Sequence, residues 1–254
     1  MSLKINEIKE ILLKSAYTEL PEKINMFKDD DRTGVVKLIA QYERKYNAYL
    51  SELKRLDEIS IFEKELRKNG YRLIGGIDEV GRGPLAGPVV TAVVILPEDC
   101  RILGINDSKK LSASKREELS CIIKEKALAY SLGVVSPREI DEINILQATY
   151  KAMRNAIEGL NVKPDYILAD AVTIPEISVA QRGIIHGDAR SVSIGAASIV
   201  AKVERDAMMC EYDKVFPGYG FKHNKGYGSA DHIAALRELG PCPIHRRSFI
   251  KNFV

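Results

Sequence analysis

GIDEVGRGPLAGPVV, residues 76–90, is the stretch on which the fold turns. Its opening residues close a run from Tyr71 to Asp78 that reads as a strand and ends on two acids, Asp78 and Glu79. Its last residues open a second strand, Val89 to Leu96, rich in β-branched side chains. Between them lies Gly81-Arg82-Gly83-Pro84. A G-x-G pair often marks a dinucleotide-binding turn, but that turn opens a helix. Here Pro84 and Pro88 follow and the next element is a strand, so that reading falls away. What remains is a turn whose glycines free the backbone, with an arginine fork suited to phosphate.

Working outward toward the C-terminus, strands and helices alternate. Ser114-x-x-Glu117 has the spacing of a capping box and predicts a helix to about Ala129. Tyr130 to Ser136 reads as a strand. Ser136-Pro137-x-Glu139 starts a helix that ends near Gly159, with proline in its first turn. Tyr166 to Ala171 and Ala180 to Ile185 are further strands, Ser193 to Val215 a helix, and Ser229 to Gly240 a last one. The pattern is that of an α/β domain around one central mixed sheet. Upstream the texture differs. Before Gly70 there is one glycine, Gly34, and one proline, Pro21, with 14 Lys/Arg against 13 Asp/Glu. Apolar residues recur at helical intervals from Val36 through Tyr46, Leu53 and Ile61 to Leu66, after a short helix near Ile5 to Ala16. An all-α extension over 1–70 followed by an α/β domain over 71–254 is therefore expected.

Composition bounds the class. The 254 residues are 45% hydrophobic and 29% charged, with net charge +3. No apolar run approaches the roughly 18 residues of a membrane span, and MSLKINEIKE lacks the apolar core of a secretion signal. A cytoplasmic protein with no membrane partner is expected. Cys100, Cys121, Cys210 and Cys242 form no C-x-x-C pair, which argues against a zinc ribbon and for free thiols. From Lys214 onward seven Lys/Arg face two acids, a basic tail that favours phosphates as readily as it favours plain solvation.

Four acids stand where sites gather in open α/β sheets, at strand ends and helix starts. Asp78 and Glu79 end the first strand, Asp170 ends Tyr166-Ile167-Leu168-Ala169-Asp170, and Asp188 precedes the long helix. Converging carboxylates repel unless a cation or a proton intervenes. An all-oxygen set suits Mg²⁺ or Mn²⁺, and two such ions roughly 3.5–4 Å apart make a phosphodiester-cleaving site. Taken singly, each acid is more often solvated than catalytic. Alternation along a strand also sends Asp78 and Glu79 to opposite faces, so sharing a site requires the strand to end or bulge there. Gly81 and Gly83 favour an early end. Near the tail, Tyr219-Gly220-Phe221-Lys222-His223-Asn224-Lys225-Gly226-Tyr227-Gly228 interleaves rings with bases, as a stacking and phosphate-binding loop does.

Together these segments resemble the bacterial ribonuclease HII family. The resemblance starts at GIDEVGRGPLAGPVV and runs in order through NDSKKLS (106–112), EIDEINILQAT (139–149), YILADA (166–171), GDARSVSIGAASIVAKVERD (187–206), HNKGYG (223–228) and HRRSF (245–249). It implies a ribonuclease H-like fold and hydrolysis assisted by two Mn²⁺ or Mg²⁺ ions held by Asp78, Glu79, Asp170 and Asp188. Asp78 is then the bridging ligand, and Asp188 serves the water-side ion or a supporting shell. It also implies that Gly81, Arg82 and Gly83 read the 2′-hydroxyl at an RNA-to-DNA junction, and that Tyr227 packs on the following deoxyribose. Asn106, Lys109, Lys110 and Lys225 are expected along the duplex backbone. The implied substrates are RNA–DNA hybrids and duplex DNA with embedded ribonucleotides, cut 5′ of the ribonucleotide to leave 3′-hydroxyl and 5′-phosphate ends by a monomeric enzyme.

The chain departs from the family pattern in places. Asp170 is followed by Ala171 where many relatives have glycine, Asn224 leaves the role of His223 open, and the chain stops soon after Phe249. The first seventy residues resemble the helical extension of some Gram-positive members. The rivals are ribonuclease HIII, which carries a different residue at the Arg82 position and a strand-bearing N-terminal domain, and a hybrid-binding protein without catalysis.

Overall fold

The computed structural model describes residues 3–254. Its five-stranded sheet includes Val89–Ile95 (β2), every residue of which is buried. Burying a valine or isoleucine side chain contributes about 1.5–3 kcal/mol, so this strand is a main source of stability. Antiparallel neighbours flank β2: Ile74–Val80 (β1) on one side and Ala129–Val135 (β3) on the other. Beyond β1 come Tyr166–Asp170 (β4) and Ala180–Ile184 (β5), both parallel. The order is β3-β2-β1-β4-β5, the mixed sheet expected, with β1 where the antiparallel and parallel halves meet.

Helices cover both faces. Ala113–Lys126 (α5) and Val192–Val215 (α8) pack on one, against Ala92 and Val94. Pro137–Glu158 (α6) packs on the other, where Met153 and Ala156 meet Ile77, Val93 and Ile95. Strand alternation explains the division. Approach is closest at two strand glycines. A Cβ at Gly76 would fall 2.0 Å from the Ser193 carbonyl carbon, and one at Gly133 would fall 1.8 Å from the Ala152 oxygen.

The local signals held unevenly. α6 starts at Ser136-Pro137 as expected, and Ser136 and Glu139 form a capping box there. The helix kinks at Asn144 (φ 65°), whose Oδ1 accepts from the N–H groups of Leu146 and Gln147 and restarts it. The α5 cap is Ser112, which accepts from the Lys115 N–H, not Ser114. Serine at 112 sits on extended backbone with its hydroxyl free to turn back, whereas Ser114 is already helical.

The described residues divide into two compact units, one ending at Asp57 and the other spanning 58–254. The first comprises Ile5–Lys14 (α1), Leu20–Asn25 (α2) and most of Thr33–Ile59 (α3). Its core is Ile8 and Leu12, Leu20 and Ile24, then Val35, Leu38, Ile39 and Tyr42, at helical spacing throughout. Ile61–Lys68 (α4) belongs to the second unit, because Leu66 and Phe62 join the cluster of Ile74, Leu168 and Ile194. The expected division near residue 70 marks the change from helical to alternating texture, and α4 precedes it. Of the described residues, no helix is long and apolar enough to cross a membrane.

Candidate active site

The last β1–β4 pair is Ile77 with Ala169. The next residues along, Asp78 and Asp170, therefore emerge side by side where the parallel neighbour stops. β1 itself continues, pairing Asp78 with Ala92, Glu79 with Thr91 and Val80 with Val90. The early strand end expected at Asp78 does not occur. Asp78 and Glu79 leave opposite faces of a regular strand, yet Glu79 acts on Asp78, and Asp170 acts on both. They share a site because β4 has ended, leaving that edge of β1 open.

Asp188 reaches the cluster from Gly187–Arg190 (α7). The Gly187 N–H donates to Asp170 Oδ1 at 2.7 Å, tying the start of α7 to the end of β4. A Cβ on Gly187 would lie 3.3 Å from that same oxygen. Burial, then the charges of Glu79 and Asp170, push Asp78 well above the ordinary carboxylate range, and the Ser198 hydroxyl opposes this. Burial also raises Glu79, against the pull of Arg82, whose Nη1 is 3.2 Å from Glu79 Oε1. Asp188 is raised by burial and by Asp170 and Asp107, with Lys109 opposing.

The Gly81-Arg82-Gly83 turn follows directly. Gly81 has φ +92°, and a Cβ there would fall 2.2 Å from Arg205 Nε. Its glycine is required by a side chain packed behind the loop as much as by any ligand before it. A Cβ on Gly83 would meet nothing closer than Tyr227 Cε1 at 3.9 Å, so the turn and the half-exposed Tyr227 ring are neighbours. The Tyr227 carbonyl receives His232 Nδ1 at 2.8 Å. His232 and His245 face each other through their Nε2 atoms at 3.0 Å, both buried.

The backbone-holding candidates are more dispersed. Asn106 Oδ1 accepts from the Asp107 N–H, and Asp107 caps the short 3-10 turn Ser108–Lys110 that displays Lys109 and Lys110. Lys225 is turned inward. Its Nζ lies 3.0 Å from Cys210 Sγ, on a cleft of about 360 Å³ lined by α5 and α8 residues, and its main chain is left-handed at φ 52°. All four cysteines are free thiols.

Residues 75–252 match the family model described as Ribonuclease HII, and residues 4–67 match the Ribonuclease HII N-terminal domain. The chain belongs to the ribonuclease HII family. The ribonuclease HII of Lachnoclostridium phytofermentans is 56% identical over 255 residues, spanning 99% of this chain and 98% of the relative. That of Clostridioides difficile is 51% identical over 250 residues, spanning 98% of each. Among solved structures, the PCNA:RNase HII complex from Archaeoglobus fulgidus gives a TM-score of 0.60 at 28% identity, covering 71% of this chain and 96% of that one. The chain is thus an enzyme of the type II ribonuclease H class.

Several residues of this ribonuclease HII site were not anticipated. Ser198 bonds Ser108 at 3.0 Å and reaches Asp78, while Asp107 adds a further charge beside Asp188. Buried Glu63 of α4 accepts from the Ser191 hydroxyl (2.5 Å) and the Ser193 N–H (3.1 Å), capping the start of α8. A run of small residues in SVSIGAASIVA was the available signal for Ser198, since only small side chains let α8 approach β1.

A hard cation fits the acids by donor chemistry: every candidate ligand is a carboxylate oxygen, and the buried Glu79 Oε2 has no hydrogen-bond partner among the described residues. Among the described residues no three His, Cys, Asp or Glu side chains form a closed ligand set as they stand. Glu79 Oε1 is engaged by Arg82 and Asp170 Oδ1 by the Gly187 N–H.

Proposed function

We propose that this ribonuclease HII is an endonuclease that hydrolyses the RNA strand of RNA–DNA hybrids. It also incises duplex DNA on the 5′ side of single embedded ribonucleotides, leaving 3′-hydroxyl and 5′-phosphate ends. One observation carries the reading: a cluster of acids around the buried Asp78, in which Glu79 Oε2 has no hydrogen-bond partner among the described residues, joined through the Glu79–Arg82 ion pair to a loop that lies beside Tyr227. Catalytic chemistry and sugar reading then lie on consecutive residues of one chain segment.

Asp78, Glu79, Asp170 and Asp188 would hold two Mg²⁺ or Mn²⁺ ions. Bound there, the metal supplies Lewis-acid stabilisation of the phosphate and an activated water. The chain's own residues do the rest. Ser198 orients Asp78, and the Gly187 N–H orients Asp170. Arg82, released from Glu79, offers its fork to a phosphate. The backbone of 81–83 meets the 2′-hydroxyl, the group that distinguishes RNA from DNA locally. The Tyr227 ring packs on the next deoxyribose, where a second hydroxyl would collide. Lys109, Lys110 and Asn106 steady the duplex backbone, and Lys225 does so by shaping its loop. The catalytic domain is taken as 71–254, with 1–70 as a helical extension.

The decisive assay is cleavage of a labelled DNA duplex carrying one ribonucleotide, with Mg²⁺ or Mn²⁺ and with chelator, beside a continuous hybrid. A single metal-dependent cut 5′ of the ribonucleotide is expected. Cleavage of the continuous hybrid alone would remove the junction reading, and no cleavage of either would remove the function.

A further inference from the structure

Arg205 of α8 and Arg246, just ahead of the short helix Arg247–Ile250, are fully buried, at 0% exposure. Among the described residues neither bonds a carboxylate; each hydrogen bond from the two guanidiniums goes to a main-chain carbonyl. Arg246 donates to Gly87 through Nε (3.0 Å) and Nη2 (2.9 Å), to Arg82 through Nη1 (2.9 Å) and to Gly81 through Nη2 (2.5 Å). Arg205 donates to Pro88 (2.9 Å), Ala86 (3.1 Å) and Lys225 (2.9 Å). A buried cation without a counter-charge is costly, and carbonyl dipoles offset only part of that cost.

The arrangement has a geometric result. In a trans peptide the N–H points opposite to the C=O. Drawing the Gly81 and Arg82 carbonyls inward turns the N–H groups of Arg82 and Gly83 outward, and neither has a backbone acceptor among the described residues. Arg205 meanwhile holds Lys225, two residues before Tyr227, against the 86–88 end of the same loop. Three glycines with positive φ let the segments close on the arginines: Gly81 (+92°), Gly87 (+88°) and Gly226 (+82°). At Gly226 a Cβ would strike the Ala86 oxygen at 2.4 Å.

We propose that Arg205 and Arg246 are positioning residues for substrate selection, which fix the outward N–H groups of 82 and 83 at a set distance from the Tyr227 ring. The inference rests on the reading that this turn and Tyr227 meet the two sugars of an RNA-to-DNA step. It adds that discrimination is built from behind the loop, by two side chains that never touch the nucleic acid. Lysine cannot replace either arginine, because one ammonium cannot span carbonyls that a planar fork reaches together.

The test is the ratio of kcat/KM on a one-ribonucleotide duplex to that on a continuous hybrid, for wild type, Arg246→Lys, Arg205→Lys and Tyr227→Ala. The arginine variants should lower the ratio by about tenfold or more, as small misplacements of binding groups do, with Mg²⁺ half-saturation unchanged. An equal fall on both substrates, or an unchanged ratio, overturns the proposal. If the lysine variants do not fold, Phe249→Leu decides. The Phe249 ring lies 5.1 Å from the Arg246 guanidinium, and its loss should loosen that side chain and lower the ratio; an unchanged ratio counts against the proposal. Tyr227→Ala separates the two failures. If it leaves the ratio intact, the junction reading itself fails; if it alone lowers the ratio, only the role of the arginines does.

Discussion

At one end of β1 lie acids gathered around the buried Asp78 and, behind the loop that follows it, two buried arginines, and the molecule treats the two sets in opposite ways. The acids at 78, 79, 170 and 188 are incompletely satisfied, with one buried oxygen unpartnered. The arginines at 205 and 246 are extensively satisfied, each holding several carbonyls. Unspent charge is available to a ligand, whereas charge committed to the backbone is available only to shape. On this contrast the acid end should govern rate and the arginine end should govern choice.

The largest test falls on the acid end. Asp78→Asn should lower kcat by about a thousandfold, the several kcal/mol that a metal ligand controls. Duplex affinity in a gel-shift assay should change little. The same substitution removes a buried, repelled carboxylate, so its melting temperature without metal should rise. Near-wild-type turnover would break the contrast outright.

Next in size is a pH effect at the arginine end. Burial and the neighbouring His232 lower His245 from 6.5 to about 4. The unfolded chain therefore takes up this proton first as pH falls. The stability contributed by neutral His245 is complete above pH 6.5, and it is lost as pH drops to about 4. The loss is at most about 3 kcal/mol, and urea midpoints measured between pH 7.5 and 4.5 should show it. His245→Phe should flatten that dependence. A curve equally steep in the variant would place the acid sensitivity elsewhere.

Two smaller effects sharpen the division. Ser198→Ala removes a donor from Asp78 without touching the arginine end. It should raise the metal concentration for half-maximal activity by between about ten- and a hundredfold and leave substrate ratios alone. Tyr227→Ala should do the reverse, lowering preference for a single ribonucleotide by about tenfold, the worth of one stacking contact, at unchanged metal dependence.

The acids were legible because strand ends are legible: β-branched runs, glycines and prolines mark where Asp78 and Asp170 emerge. Their sharing of a site was misread in its cause. Sequence shows where one strand ends but not how far its neighbour runs beside it, and it is the short β4 that opens the edge at Glu79. Arg205 and Arg246 were not legible at all. Arginine in a charged helix or in HRRSF reads as solvent-facing, and only the three-dimensional return of 81–88 and 225 buries it. The Ser112 cap was missed because two serines stand at plausible positions and backbone conformation chooses between them. Glu63 lay in a segment read as an extension, and its partners Ser191 and Ser193 are remote in sequence.

Burial of the two arginines also bears on behaviour in salt. Lys109 and Lys110 are exposed, and mobile ions compete with them for phosphate. No ionic atmosphere reaches Arg205 or Arg246. As ionic strength rises, this enzyme should therefore let go of nucleic acid well before it loses the ability to tell one sugar from another.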